Sequence, residues 1–214
     1  MMITYALTPL LLSEYVDAVY IVADSERSDS IIEDIRNAVD DTSKIKGFAA
    51  PGKNRQTSAL NGMQMILHSV SASNDLSDIG DRDTVLIHDA ARPFLTTEML
   101  KSIYEALTGH DGVMPALPVK DTVYSSNDGK MVSGLLDRRT VYAGQAPELF
   151  LLKKYYRANL ALMPEKIYEI NGASEPAFLF GMDIALIPGD EDNFKVTSDN
   201  DLKRFTVIKE NRSQ

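Results

Sequence analysis

The chain has 214 residues, 44% hydrophobic and 25% charged, with 31 acidic against 22 basic side chains and a formal net charge of -9. That length suits one core with at most a small appendage, and the acidic balance argues against general affinity for nucleic acid or anionic membrane, though a local basic pocket can still hold phosphates. There is no cysteine, which excludes disulfides, thiolate metal sites and a cysteine nucleophile. The N-terminal apolar run Ala6 to Leu12 is broken by Thr8 and Pro9, so neither a signal peptide nor a membrane span is expected, and the expected location is the cytoplasm.

Ile3, Ala6, Leu7, Leu10 and Leu11 follow helical spacing, and Val16 to Ala23 reads as a buried strand. Ser28 or Ser30 can cap a second helix carrying Ile31, Ile32, Ile35 and Val39, and a short strand follows over Ile45 to Ala49. Pro51-Gly52-Lys53-Asn54-Arg55-Gln56-Thr57-Ser58 is a turn-rich loop feeding a helix with Leu60, Met63, Ile66 and Leu67 on one face. The free N–H groups of a helix start suit an anionic or polar ligand there, and plain capping is the simpler alternative. Residues Ser71 to Asp83 read as a solvated connector.

Thr84 to Ile87 is a buried-strand run that breaks into His88-Asp89-Ala90-Ala91-Arg92-Pro93-Phe94, with a helix opening at Thr96, Thr97 and Glu98. Ligands of open α/β sheets sit beyond the carboxyl ends of strands, which would put His88, Asp89 and Arg92 against a substrate. A local Asp89–Arg92 ion pair that pins the loop is the alternative. Met99, Ile103 and Leu107 mark the helix, Gly112 to Val119 the next strand, and Lys120-Asp121-Thr122 its carboxyl end.

From about 122 to 141 two short polar strands flank Asn127-Asp128-Gly129, a hairpin signal requiring positive φ. Too polar to be buried on both faces, this segment reads as a protruding arm, ordered most simply by a second subunit. Gln145-Ala146-Pro147-Glu148-Leu149-Phe150 ends the arm, Leu152 to Leu162 is helical, Ile170 to Glu175 is a loop, and Asp183 to Ile187 is a strand. After the acidic turn Gly189 to Asn193, Phe194-Lys195-Val196-Thr197-Ser198 leads to a last helix around Asp201 to Val207, capped by Thr197 or Ser198. Lys195 should project toward whatever the strand ends face; an ordinary surface lysine is the alternative.

Taken in order, HDAARPF, the Asp121-Thr122 after the following strand, Asp137-Arg138 on the returning arm and NFKVTS make the chain resemble the sugar-phosphate cytidylyltransferases, and within them the 2-C-methyl-D-erythritol 4-phosphate cytidylyltransferase family. The resemblance implies an α/β fold with a doubly wound, mostly parallel sheet, of nucleotide-diphospho-sugar transferase type, and a homodimer built through hairpin arms. It also implies attack of a polyol phosphate on the α-phosphorus of CTP, with Mg²⁺ carried mainly by the CTP phosphates and no side chain assigned as a metal ligand.

Carried over by position, Gly52 and Ser58 match the loop that holds cytosine, and Ala90 lies against the ribose. Asp89, Arg92 and Thr122 line the sugar-phosphate site. By the same match, Arg138 would reach the acceptor phosphate of the neighbouring subunit, Lys195 would lie near the reacting phosphates, and Arg55 would take a structural part. Arg138 and Lys195 are the catalytic candidates, because transfer at phosphorus is achieved mainly by positioning and charge neutralisation. His88 is not needed as a base and reads as a packed strand-end residue.

Three departures from the family pattern bear on these expectations. The family opens with a strand and a glycine-rich loop that wraps the triphosphate, whereas these residues begin at the helix beyond it. A gap in the sheet is therefore expected, together with an N-terminal segment missing through trimming or a late start codon. The usual glutamine-threonine-proline-glutamine run is Gln145-Ala146-Pro147-Glu148, and the usual threonine-aspartate pair is Ile170-Asn171. The leading expectation is cytidylyl transfer to methylerythritol phosphate. Ribitol 5-phosphate or another polyol phosphate is an alternative acceptor, and a catalytically inactive dimerisation or regulatory homologue is the alternative of a different class.

Overall fold

A computed structural model describes residues 1–71 and 75–212. Helix α1 (Met2–Leu12) lays Ala6, Leu7, Leu10 and Leu11 on the core, and β1 (Val19–Val22) runs parallel to β2 (Ile45–Ala49). Between them α2 (Ser28–Arg36) grows out of a tight turn at Ser25–Arg27, not from a serine cap. The Ser28 and Ser30 hydroxyls donate back to the carbonyls of Ser25 and Arg27, at 2.7 and 3.0 Å. The next helix, α3 (Arg55–Val70), has the full capping device: Asn54 accepts from the Thr57 N–H while the Thr57 hydroxyl accepts from the Asn54 N–H.

The larger sheet holds β3 (Thr84–Ile87), β4 (Gly112–Pro118), β7 (Tyr142–Gly144), β8 (Glu148–Leu151) and β9 (Ile184–Pro188), counting the arm strands β5 (Val123–Ser125) and β6 (Gly134–Leu136) in between. β3, β4 and β9 share one direction, since β4 and β9 pair in parallel and β3 and β4 both pair antiparallel with β8. The architecture is thus α/β with a parallel-dominated sheet, and β7 and β8, the strands returning from the arm, run against it. The sequence reading had placed no strands there. Both line one edge of β4, and five steps from Gly144 to Leu149 face three from Ala116 to Val113, so the returning chain bulges at Gln145 to Pro147.

Helices α4 (Thr97–Ala106), capped by Thr96, and α5 (Leu152–Leu160) cover the sheet. Leu100, Ile103, Val113 and Leu149 are fully enclosed in the core that α4 shares with α1 and α2, and Phe150 stacks on Tyr155 at 4.2 Å in the core under α3 and α5. Ser174–Leu179 forms a short helix, α6, where the sequence suggested loop as far as Glu175. The last helix, α7 (Asp199–Arg212), starts at Ser198, whose N–H and hydroxyl both bond Asp201. The arm hairpin pairs Val123–Ser125 with Gly134–Leu136, and Gly129 at its tip has φ +71°, as the turn signal required. Among the described residues no helix is long and apolar enough to cross a membrane.

β1 and β3 are not paired among the described residues, so the sheet is split where the resemblance implied a gap. A cavity of about 600 Å³ lies there, with Leu7, Leu10, Ile21, Met63, Val85 and Leu86 among its walls.

Candidate active site

The same cavity is bounded by Arg55, Ser58, Asp89, Ala90 and Lys195, so the split in the sheet meets the strand-end loop. Asp89 lies two residues beyond the end of β3 and is mostly enclosed, and three cations converge on it. Arg55, in the first turn of α3, gives its Oδ1 two hydrogen bonds, at 2.9 Å from Nη2 and 3.2 Å from Nε. Lys195 Nζ lies 3.2 Å from Oδ2, and Arg92 Nε 3.6 Å from the same oxygen. Burial pushes the Asp89 carboxyl up, but Arg55 and then Lys195 outweigh it and hold it below the usual carboxylate range. Burial pulls the Arg92 guanidinium below its ordinary value while Asp89 and Glu148 draw it back, and an arginine remains a cation.

Backbone contacts fix these groups. The Val196 N–H donates to the Ala91 carbonyl at 2.8 Å, clamping the segment that carries Lys195 against the strand-end loop. Arg92 Nη1 donates to the Asn193 carbonyl at 2.7 Å, and the fully enclosed Asn193 side chain donates to the Ala146 carbonyl at 2.8 Å. At the bulge, Gln145 donates to the Asp190 carbonyl at 2.8 Å and accepts from the Asp190 N–H at 3.0 Å. The returning chain therefore braces the acidic turn that precedes Lys195.

Gly52 and Ser58 also come together, the Gly52 N–H donating to Ser58 Oγ at 2.9 Å. A Cβ on Gly52 would lie 2.2 Å from the Thr57 hydroxyl oxygen and 2.6 Å from its backbone carbon, so only glycine fits beside the cap. His88 packs under the loop with Nε2 3.2 Å from the Arg92 carbonyl. Burial drives its pKa down to about 4, leaving a neutral ring, in line with its reading as a packed residue.

Thr122 and Arg138 lie outside this cluster. Thr122 is exposed at the root of the arm, and Arg138 donates from Nη1 to the Lys120 carbonyl at 2.8 Å. Sequence reasoning gave Arg55 a merely structural part and assigned no site role to Gln145, Asn193 or Glu148. The available signal was a polar residue at the head of an otherwise apolar run, Glu148-Leu149-Phe150-Leu151.

Among the described residues no group of three or more His, Asp or Glu could hold a metal ion, and Asp89, the carboxylate nearest the cavity's cations, is taken by three of them. These side chains do not build a metal cage. The arrangement can hold an anion. Three fixed cations around one carboxylate leave a net positive pocket, and an arriving phosphate would take over contacts that Asp89 now makes.

Comparison with known proteins gives a concordant picture. The model of the family "IspD: 2-C-methyl-D-erythritol 4-phosphate cytidylyltransferase" matches residues 1–210. The chain is 31% identical over 200 residues to the 2-C-methyl-D-erythritol 4-phosphate cytidylyltransferase of Geotalea uraniireducens (strain Rf4), covering 94% of this chain and 80% of that protein. It is 32% identical over 206 residues to the bifunctional enzyme IspD/IspF of Maricaulis maris (strain MCS10), covering 94% of this chain but 48% of that protein, about half its length. In fold it matches the crystal structure of 4-diphosphocytidyl-2C-methyl-D-erythritol synthase from Anaerococcus prevotii DSM 20548 with a TM-score of 0.79, at 22% identity and over 98% of this chain and 86% of that one. The chain belongs to the 2-C-methyl-D-erythritol 4-phosphate cytidylyltransferase family.

Proposed function

We propose that this chain transfers the cytidylyl group of CTP to 2-C-methyl-D-erythritol 4-phosphate in isoprenoid precursor synthesis, acting as a single-domain cytoplasmic homodimer. The observation that carries this reading is the convergence of Arg55, Arg92 and Lys195 on Asp89, where the cavity between β1 and β3 meets the strand-end loop. An oxygen of the acceptor phosphate attacks the α-phosphorus of CTP; the new P–O bond forms as the bond to pyrophosphate breaks, and pyrophosphate leaves with the electron pair. The acceptor phosphate is already ionised near neutral pH, so the protein's task is to hold anions together. Lys195 and Arg92 offset charge at the reacting phosphates, Arg55 keeps Asp89 in place, and Asp89 takes up an acceptor hydroxyl. Gly52 and Ser58 hold the base, with Ala90 against the ribose. Mg²⁺ carried by the CTP phosphates would supply further charge neutralisation there.

The arm supports the dimer. Tyr124, Met131, Val132 and Leu135 are more than half exposed on it, an apolar set on a short hairpin that has little reason for order by itself. A second subunit covering it would place Arg138 at its neighbour's acceptor phosphate. A ribitol 5-phosphate acceptor is the second reading. It is favoured by the buried Ala146 and Glu148, which replace a hydroxyl and an amide of the family's usual run. Pyrophosphate release from CTP with each alcohol phosphate tests both, and faster turnover of methylerythritol phosphate is expected. Faster turnover of ribitol phosphate reverses the assignment, and release with neither leaves a non-catalytic homologue.

A further inference from the structure

Glu148 opens β8 opposite Ile87, the last residue of β3 and two residues before Asp89. Its side chain is 7% exposed, and Oε2 is enclosed without any hydrogen-bond partner. Such an atom is costly to bury as part of a carboxylate. The charged and polar groups that act on it come from several elements: Arg55 from α3, Asp89 and Arg92 from the strand-end loop, Tyr155 from α5 and Ser174 from α6. Lys195 completes the set through Asp89, and His88 beside them is neutral. Arg55 spends both Nε and Nη2 on Asp89.

We propose that Glu148 is a proton-linked positioning residue of the anion pocket, which grips phosphate when this carboxyl is protonated and loosens when it ionises and draws Arg55 and Arg92 toward itself. This rests on the reading of the cluster as a phosphate site. With Glu148 neutral the pocket sets Arg55, Arg92 and Lys195 against Asp89 alone; with Glu148 ionised, half of the surplus positive charge is gone. Burial raises the Glu148 carboxyl to about 7, opposed by the charge of Arg55 and by hydrogen bonding from Ser174, so both forms are populated near neutral pH.

Sulfate is a suitable probe because its charge is constant over the range concerned. Calorimetric binding to the intact chain should weaken by about fivefold or more between pH 6 and pH 8. In Glu148→Gln it should stay at the pH 6 strength throughout. Thermal unfolding gives a ligand-free readout. A carboxyl that binds its proton more tightly in the folded chain costs stability as pH rises from the unfolded value toward 7, so Glu148→Gln should gain in Tm over the parent across that window. Sulfate affinity that is flat with pH in the parent, or equally sloped in the variant, overturns the proposal. A growing Tm difference with no sulfate binding at any pH overturns instead the phosphate-site reading beneath it.

Discussion

The strand-end cluster and the hairpin arm both carry residues that the resemblance assigns to one reaction, yet they are held in opposite ways. Asp89 and Arg92 are each less than 15% exposed, and two other segments of the same chain fasten their loop: Arg55 bonds Asp89, and residues 193–196 hold it through the Asn193 carbonyl and the Val196 N–H. Arg138, by contrast, stands exposed with a single bond to the Lys120 carbonyl, on an arm whose apolar side chains face outward. A site can be half preorganised: the cluster pays its ordering entropy on folding, whereas on the proposed dimer reading the arm's geometry is completed by a second surface.

The sharpest way to break that contrast is to remove one cation from each region. Lys195→Ala and Arg138→Ala should each lower kcat/KM by about 10²- to 10³-fold, the usual loss when a group stabilising developing charge is deleted. Lys195 is 41% exposed and Arg138 fully on the surface, so unfolding temperatures should hold in both. Mixing the two inactive proteins separates the regions. If Arg138 serves the neighbouring subunit, each mixed dimer has one site with both cations, and about a quarter of the parent's sites return on random exchange. Steady-state pyrophosphate release after mixing measures this, and no recovery would place Arg138 in its own subunit's site.

The same contrast governs what the sequence made legible. Local signals were read correctly: helical spacing in α3 and α4, the strand Ile45–Ala49, and the positive φ at Gly129. β7 and β8 escaped because their short run passes straight into α5, so no turn marks a boundary, and antiparallel pairing with β3 and β4 is a long-range fact. α6 escaped because its first two residues fall in the stretch Ile170 to Glu175, which reads as loop, and Pro176 follows, although proline is tolerated in a first helical turn. At the site, the Asp89–Arg92 pair was visible as neighbours. Arg55 lies 34 residues from Asp89, and nothing in its own loop announces that contact. Lys195 was picked out by family pattern; only the fold shows that Ala91 and Asn193 bring its segment to the cluster.

A milder change probes the cluster's own cohesion. Asp89→Asn keeps the shape and removes the charge that three cations share, and should cost about 2 kcal/mol near neutral pH. The pH dependence has a definite sign. Because the folded chain lowers the carboxyl's pKa, its contribution is fully present above the unfolded value of about 3.9 and is lost as pH falls through the folded value. Chemical denaturation of parent and variant should therefore diverge above pH 5 and converge under strong acid. A difference that persists at pH 2 would mean that packing, not charge, holds the cluster.

The smallest effect on the isolated chain is expected in the arm, and its smallness is the informative part. Leu135 is 67% exposed, so Leu135→Glu removes little buried surface and should change the stability of a single subunit by no more than about 0.5 kcal/mol. If a partner's apolar surface covers that side chain, the same substitution buries an uncompensated carboxylate between subunits and should convert dimer to monomer in sedimentation. Activity should then fall with the dimer, because Arg138 loses the neighbour it serves, while sulfate binding at the Asp89 cluster remains. A Leu135→Glu protein that stays dimeric and active would place the subunit contact elsewhere. The arm's exposed apolar face would then need a different cover.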